Sequence, residues 1–337
     1  MAAPEAEKRI AVRRPDLRQV AERAGVGIAS ASRVLTGQPG SSRELRERVL
    51  RAAAELGYAP NMLARGLRRR ASMSVGFVAS DVANPLVAGV LRGAEAVLGT
   101  AGYSMLLTDS DGDPRADAAR LELLRQRQVD GVLILPVAED DAATLEALRA
   151  TEMPLVVVDR TLPDDIGASY VLSDHQPGVR AATAHLLALG HRRLGLVTGR
   201  DVRPARERAL AIRAMLPDDG VLLVETGTLT ETHGGSALAS LLDRADPPTA
   251  VVLGGNQLLV GALRLVRQRG LVLGCGLDLV TCDDIPLGQL YDPPVPAVAR
   301  DIAALGRAAA ELLLERMIGG SPPRSVLLPT WFLSGAS

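Results

Sequence analysis

From Ser74 onward the chain alternates continuous apolar runs with helical stretches, and this alternation limits the possible fold more than any other feature. Runs at residues 75–79, 103–108, 132–135 and 155–158 form one series, and runs at 170–172, 194–197, 221–224, 250–253 and 279–281 form a second. Strands that are apolar on both faces and separated by helices belong to parallel sheets covered on both sides. Two series of about 100 residues each predict two similar α/β lobes, each a doubly wound parallel sheet. No stretch of about 18 residues is free of charges or turn formers, so a membrane span is not expected.

The first 70 residues follow a different pattern. Residues 1–14 show no periodicity and read as a flexible arm. Asp16 is placed to cap a helix over 17–24, in which Leu17, Val20, Ala21 and Ala24 share one face. Gly25 stops it, and a second helix over 28–35 follows the turn at Val26-Gly27. A third helix, over 42–56, sets Leu45, Val49, Ala52, Ala53 and Leu56 on one stripe. Three short helices with a glycine-bearing turn between the first two predict an all-α helix-turn-helix head. The turn Gly57-Tyr58-Ala59-Pro60 leads to Asn61, which caps a segment of under ten residues with an internal glycine, Gly66, marginal as a helix without a partner.

Charge divides along the same line. Residues 1–70 hold 15 Lys and Arg against 7 Asp and Glu, a net of +8, whereas the remainder holds 23 against 32, a net of −9. A basic head on an acidic body is expected when the head alone meets a polyanion. MAAPEAEKRIAVRR carries charge with no apolar stretch behind it and does not read as a secretory signal, which places the chain in the cytoplasm. Cys275 and Cys282 accordingly read as free thiols, and without neighbouring histidines they make a poor metal site.

The segment from Asp16 to Gly37, DLRQVAERAGVGIASASRVLTG, and the later ELGYAPNMLARGLR resemble the lactose-repressor (LacI/GalR) family of transcription regulators. Asn84-Pro85, Val129-Asp130-Gly131, Val158-Asp159-Arg160, Leu189-Gly190-His191-Arg192-Arg193 and Cys282-Asp283-Asp284-Ile285-Pro286 continue the likeness in family order, so that it spans about residues 16–330. It implies a periplasmic-binding-protein-like sensor of two lobes joined to the head by a hinge. The boundaries expected are 1–14 for the arm, 15–58 for the DNA-binding head, 59–72 for hinge helix and linker, and 73–337 for the sensor. Its first lobe is expected from 73–168 with 299–328, and its second from 169–298 with 329–337.

A helix in the major groove presents its first residues to base edges. Here these are Ile28 and Ala29, whose methyls suit thymine, and Arg33, whose two donors suit guanine O6 and N7. Ser30 and Ser32 are placed to bond phosphates. Thr36 stands for the family asparagine, and Gly27 and Ala31 replace a serine and a valine. Leu67 falls where the family wedges a leucine into the minor groove, an insertion that bends the duplex. The resemblance further implies a homodimer reading a pseudo-palindromic operator.

For the sensor, it implies a small effector between the lobes, contacted by Leu86 in the Asn-Pro-Leu-Val turn, Arg208 ahead of a helix over 209–215, Asn256 and Asp283, with Arg160 beside them. An arginine, an amide and a carboxylate suit the hydroxyls or carboxylate of a small polar molecule such as a carbohydrate. Relatives stack rings on aromatic residues, yet aromatics make up only 2% of this chain. Leu86 and Val87 replace a Phe pair, Gln257 an Asp, and Cys282 an aromatic. A non-sugar effector and a sensor that has lost its ligand both remain open.

Three functions compete. A repressor modulated by an effector fits head and sensor together. A solute-binding protein would share the lobes but need an export signal and no basic head, and an effector-independent DNA-binding dimer would keep the head alone. An enzyme needs a nucleophile with its base, a phosphate loop or a metal set, and no complete pattern of those kinds is present. Asp283-Asp284 are adjacent and should point apart, while His191 reads as a strand-end residue. His175, His185 and His233 lack the spacing of a site. No enzyme activity, cofactor or metal is therefore expected.

Overall fold

The computed structural model describes residues 15–35, 40–58 and 71–335. The chain falls into two units that divide between Ser72 and Met73. The arm, Thr36, Asn61, Leu67 and the expected hinge at 59–70 lie outside the described residues.

The head consists of α1 (Leu17–Ala24), α2 (Ile28–Leu35) and α3 (Arg43–Leu56). Asp16 accepts from the Gln19 backbone N–H at 2.9 Å while its own N–H donates to Gln19 Oε1 at 2.9 Å. This reciprocal pair satisfies two donors that a helix start otherwise leaves orphaned. Gly25 closes α1 at φ 65°, a left-handed conformation in which any side chain would be strained. Val20, Ala21 and Ala24 of α1 pack with Ala31 and Val34 of α2 and with Val49, Ala52 and Ala53 of α3. Ala31 and Val34 point down because they lie three apart on one face of α2. That arrangement leaves Ala29 and Arg33 exposed on the opposite face and Ile28 exposed at its edge.

The larger unit holds eleven strands. In the first lobe β1 (Ser74–Ala79), α4 (Pro85–Thr100), β2 (Ser104–Asp109), α5 (Pro114–Gln126), β3 (Gly131–Ile134), α6 (Ala142–Arg149), β4 (Leu155–Val158) and β5 (Ser169–Asp174) follow in sequence. The second lobe runs α7 (Gln176–Ala188), β6 (Arg193–Thr198), α8 (Arg203–Arg213), β7 (Val221–Thr226), α9 (Glu231–Leu242), β8 (Ala250–Leu253), α10 (Asn256–Gln268), β9 (Asp278–Cys282), α11 (Pro286–Leu290) and β10 (Ala297–Arg300). Finally α12 (Ile302–Gly319) returns to pack on α4, and β11 (Ser325–Leu333) ends the chain's described part.

Strand order is β2-β1-β3-β4-β5 in one lobe and β7-β6-β8-β9-β10 in the other, with β11 between β5 and β10. The 2-1-3-4-5 order reverses beside the first strand, and in such sheets ligands bind at that reversal, beyond the strands' C-terminal ends. Strand β11 serves both sheets: residues 325–329 pair parallel with β5, and residues 330–333 pair antiparallel with β10. The second sheet is thus mixed rather than wholly parallel.

Two expectations need correcting. The run at 170–172 belongs to the first lobe, because β5 pairs with β4 as well as with β11. Only a single 3-10 turn, Asp164–Ile166, stands between β4 and β5, so the usual helical punctuation was missing there. Helix α8 begins at Arg203, so Arg208 lies within the helix and not ahead of it. Pro204 sits in its first turn, where the absent N–H costs nothing.

Helices α4 and α12 approach through small residues. A Cβ added at Gly306 would lie 2.0 Å from the Val90 carbonyl oxygen, and one at Gly93 would lie 2.1 Å from that of Ala303. Val90, Ala94 and Leu98 of α4 thereby share one core with Leu305, Ala309 and Leu313 of α12.

Candidate functional site

A cavity of about 280 Å³ opens between the lobes at the C-terminal ends of their strands. Ser80 and Asp81 beyond β1, Val137 beyond β3 and Arg160 beyond β4 form one wall. Thr198 at the end of β6, Gly254 and Gly255 beyond β8 and Asp283 beyond β9 form the other. Leu86 lines it from the first turn of α4, which Asn84 caps by accepting from the Leu86 N–H at 3.0 Å.

Arg300, at the end of β10, is 4% exposed and stands between two carboxylates. Its Nε and Nη2 donate to the two oxygens of Asp283 at 2.7 and 3.2 Å, and its Nη1 to Asp159 at 2.7 Å and Ser173 Oγ at 2.8 Å. Asp159 follows β4 in the first lobe and Asp283 follows β9 in the second, so one guanidinium ties the lobes together. Burial disfavours a charge on Asp159, but Arg300 and then His175 outweigh it and hold its carboxyl well below the usual range. Both aspartates have positive φ, 54° and 71°, a conformation that costs a non-glycine residue about 1–3 kcal/mol and persists only where the surroundings impose it.

His175 lies 3.6 Å from Asp159, with its side chain 1% exposed. Burial, reinforced by the charge of Arg208, pushes its pKa down to about 4, so the ring is neutral near pH 7. Arg208 is buried and donates from Nη1 to the Gly254 carbonyl at 2.7 Å. Arg160 donates from Nη1 to the Asp159 carbonyl at 2.8 Å. Both arginines line the cavity, and among the described residues each has a buried Nε without a hydrogen-bond partner and neither forms an ion pair within 4.0 Å.

Of the residues expected here, Leu86, Arg160, Arg208 and Asp283 line the cavity, and Asn256 does not. Asn256 is buried in the first turn of α10 and donates to Asn84 Oδ1 at 3.4 Å, behind the lining. Its neighbour Gln257 lines the cavity instead and donates across the lobes to Asp81 at 2.7 Å. Asp284 accepts from Gln289, so the two adjacent aspartates do diverge. His191 joins the starts of β8 and β9 by bonding Thr249 at 2.8 Å and Asp278 at 2.7 Å.

Sequence reasoning missed Arg300, Asp159, His175 and Glu139. Asp159 stood inside a motif already recognised, and only its neighbour was singled out. Arg300 ends a four-residue strand too short to register as a run. Glu139 accepts the backbone N–H of Thr161 at 2.8 Å and of Arg203 at 3.0 Å from opposite lobes, and no local pattern announces that.

A two-lobed cleft carried on one chain with a helix-turn-helix head defines the class of two-domain DNA-binding regulators. Residues 16–61 match the family model of bacterial regulatory proteins of the lacI family, and residues 183–337 match that of periplasmic binding protein-like domains. The chain is 34% identical over 330 residues to the HTH-type transcriptional regulator CelR of Thermobifida fusca, which covers 94% of this chain and 96% of that protein. The crystal structure of the lac repressor dimer bound to operator and the anti-inducer ONPF superposes with a TM-score of 0.82 at 26% identity, covering 95% of this chain and 98% of that one. A CelR–cellobiose complex superposes at 0.70 with 31% identity, over 95% and 98%. The chain belongs to the lacI family of bacterial regulatory proteins and is a DNA-binding transcription regulator. The relatives it matches are transcription regulators and not enzymes. Among the described residues no helix is long and apolar enough to cross a membrane.

Proposed function

We propose that the chain is a cytoplasmic repressor that binds a pseudo-palindromic operator as a homodimer, and that a small polar effector in the cleft sets its operator affinity. One observation carries the effector half: the cavity takes its walls from both lobes, so a bound molecule favours one lobe angle over others. The solved relative bound to cellobiose and the one bound to ribose support a hydroxyl-bearing effector. The lac repressor dimer on its operator supports the dimer and the DNA partner.

In this reading the head is residues 15–58, the hinge and linker 59–72 and the sensor 73–337. Ile28 and Ala29 meet thymine methyls, Arg33 grips a guanine, and Ser30 and Ser32 bond phosphates. Thr36 and Asn61 support the DNA contact, and Leu67 supplies the wedge. Arg160 and Arg208 contact the effector against the apolar wall of Leu86. Asp283 acts chiefly by fixing Arg300, and Asn256 by supporting α10 from behind the lining.

The test is fluorescence anisotropy of duplexes taken from upstream of the chain's own gene and its neighbours, with and without a metabolite panel. Two protomers per bound duplex are expected, with an effector that shifts affinity by about 5–150-fold, the ordinary range of allosteric coupling. One protomer per duplex would overturn the dimeric reading. A broad panel that changes neither operator affinity nor melting temperature would leave the sensor as a dimerisation body alone.

A further inference from the structure

We infer that the effector is a small anion bearing hydroxyls, a sugar acid or a sugar phosphate, with its negative group held by Arg160 and Arg208. The inference rests on the reading that the cleft is the effector site, and it names the chemical class that fits there.

The argument is one of unpaired charge. Buried charges are ordinarily paired, because an uncompensated one is costly in a poorly solvated interior. The deep part of the cleft holds three cations, Arg160, Arg208 and Arg300, and two anions, Asp159 and Asp283. Both anions are taken up by the single guanidinium of Arg300, with contacts of 2.7 Å to each. That leaves Arg160 and Arg208, each with one Nη1 donor spent on a neutral backbone carbonyl and, among the described residues, no carboxylate oxygen within 4.0 Å, Asp159 and Glu139 acting on Arg160 only from farther off. The neutral His175 adds no charge of either sign.

A neutral sugar is a poor match for such a floor. Each of its hydroxyls both donates and accepts, so recognition needs acceptors as well as donors at depth. Here the deep carboxylates are occupied and Gln257 Oε1 is the one buried lining side-chain acceptor left without a partner among the described residues, against two unpartnered guanidinium Nε donors and one net positive charge. A carboxylate or phosphate supplies the missing acceptors, and guanidinium binds either group with paired, charge-assisted bonds. The rim is less basic, with Asp81 and Asp111 set against the exposed Arg200. The carboxylates of Asp81 beyond β1, Asp109 at the end of β2 and Asp111 beyond it gather within 4.8 Å of one another, and Asp81 and Asp111 line the cavity. The two ends therefore orient a bipolar ligand, acid group inward and hydroxyl hydrogens toward Asp81.

Matched trios make the test: glucose, glucuronate and glucose 6-phosphate, and ribose, ribonate and ribose 5-phosphate. Each is titrated into the full-length chain by calorimetry and thermal shift at constant ionic strength. At least one acid is expected to bind at least 10-fold more tightly than its neutral parent, and the carboxylate and phosphate arms show which group the floor prefers. Arg160→Gln and Arg208→Gln are each expected to remove that advantage, while Arg160→Lys retains part of it because the charge survives. If the neutral sugar binds as well as its acids, the anion proposal falls and the effector cleft stands. If the acids bind the parent and the Arg160→Gln/Arg208→Gln double variant alike, they are held elsewhere, for instance by the basic head, and the proposal falls. If no member of either trio binds, it falls as well, and the metabolite panel above decides separately whether the cleft binds anything.

Discussion

Glu139 of the first lobe holds Arg206 of the second at 2.5 Å, and its carboxylate also accepts the backbone N–H of Arg203 at the start of α8. Helix α8 has Val202 at its N-cap, which offers no side-chain acceptor, so a residue from the opposite lobe does the capping. An anion at a helix start satisfies an orphan donor and complements the helix dipole. The result is a tether between the lobes, as the Gln257–Asp81 bond is another.

Glu139→Ala should therefore lower stability by about 1–2 kcal/mol, the usual loss for a cap. It should also widen the range of lobe angles seen by small-angle scattering. The Arg206 side chain is 45% exposed, so its share is the smaller part. A double-mutant cycle with Arg206→Ala is expected to give a coupling below about 1 kcal/mol. Unchanged scattering and stability in Glu139→Ala would remove the tether.

Two buried groups should give opposing pH dependences. Burial pushes the Asp117 carboxyl up to about 6, against bonds from Ser110 Oγ at 2.6 Å and the Val137 N–H at 2.9 Å. The folded chain then keeps a proton that the unfolded chain has lost, and stability falls as pH rises from about 4 to 6. His175, held at about 4, does the reverse: the unfolded chain protonates first, and stability falls as pH drops from about 6.5 to 4. Each effect is on the order of 3 kcal/mol. They cancel in the parent, so urea denaturation at pH 4.5, 5.5 and 6.5 should show little change from these groups. Asp117→Asn should unmask stability rising over that window, and His175→Asn stability falling. Identical slopes in both variants would contradict these assignments.

Arg33 is exposed on the same face of α2 as Ala29. Arg33→Ala should cost about 1–3 kcal/mol of operator binding and relax the preference at one base pair. Affinity of the parent should fall by roughly 10³-fold or more between 50 and 200 mM salt if six or more phosphates are neutralised. Operator selection from a randomised duplex pool checks the first expectation. An unaltered base preference in the variant would assign Arg33 to the phosphates.

The crossing of α4 and α12 gives a test of the first lobe's core. Gly306→Ala places a methyl against the Val90 carbonyl, which is backbone and has no side-chain torsion to relieve the clash. A loss at or above the top of the overpacking range, about 3 kcal/mol, is expected from denaturant titration. A stability equal to the parent's would mean that the helices separate freely.

The legible part of this molecule was the part written in local periodicity. The three head helices, punctuated by Asp16, Gly25 and Ser42, were readable because burial repeats at 3.6, and strands β1, β3, β4, β6, β8 and β9 because burial runs continuously. Strands β10 and β11 were not. β10 is four residues long, and β11 alternates exposed and half-buried positions, with Thr330 alone buried and Pro329 beside it, and it joins two sheets at once. Within the site, Arg160, Arg208 and Asp283 were found through motifs that the family shares. Arg300 was not, since its role depends on partners 141 and 17 residues away in sequence. Long-range pairing of that kind leaves no trace in spacing.

The chain passes between the lobes three times, after Asp174, after Arg300 and within β11 at residues 329–330. These passages lie side by side, since Pro329 is in register with Asp174 and Thr330 with Arg300. Three straps fixed in one row resist sliding and twisting but allow folding about the line they define, as the knuckles of a door hinge do. The lobes therefore have one soft coordinate, an angle. Under the proposed function, whatever occupies the cleft acts on the lobes through that angle, so chemically unlike ligands that settle on the same angle are equivalent.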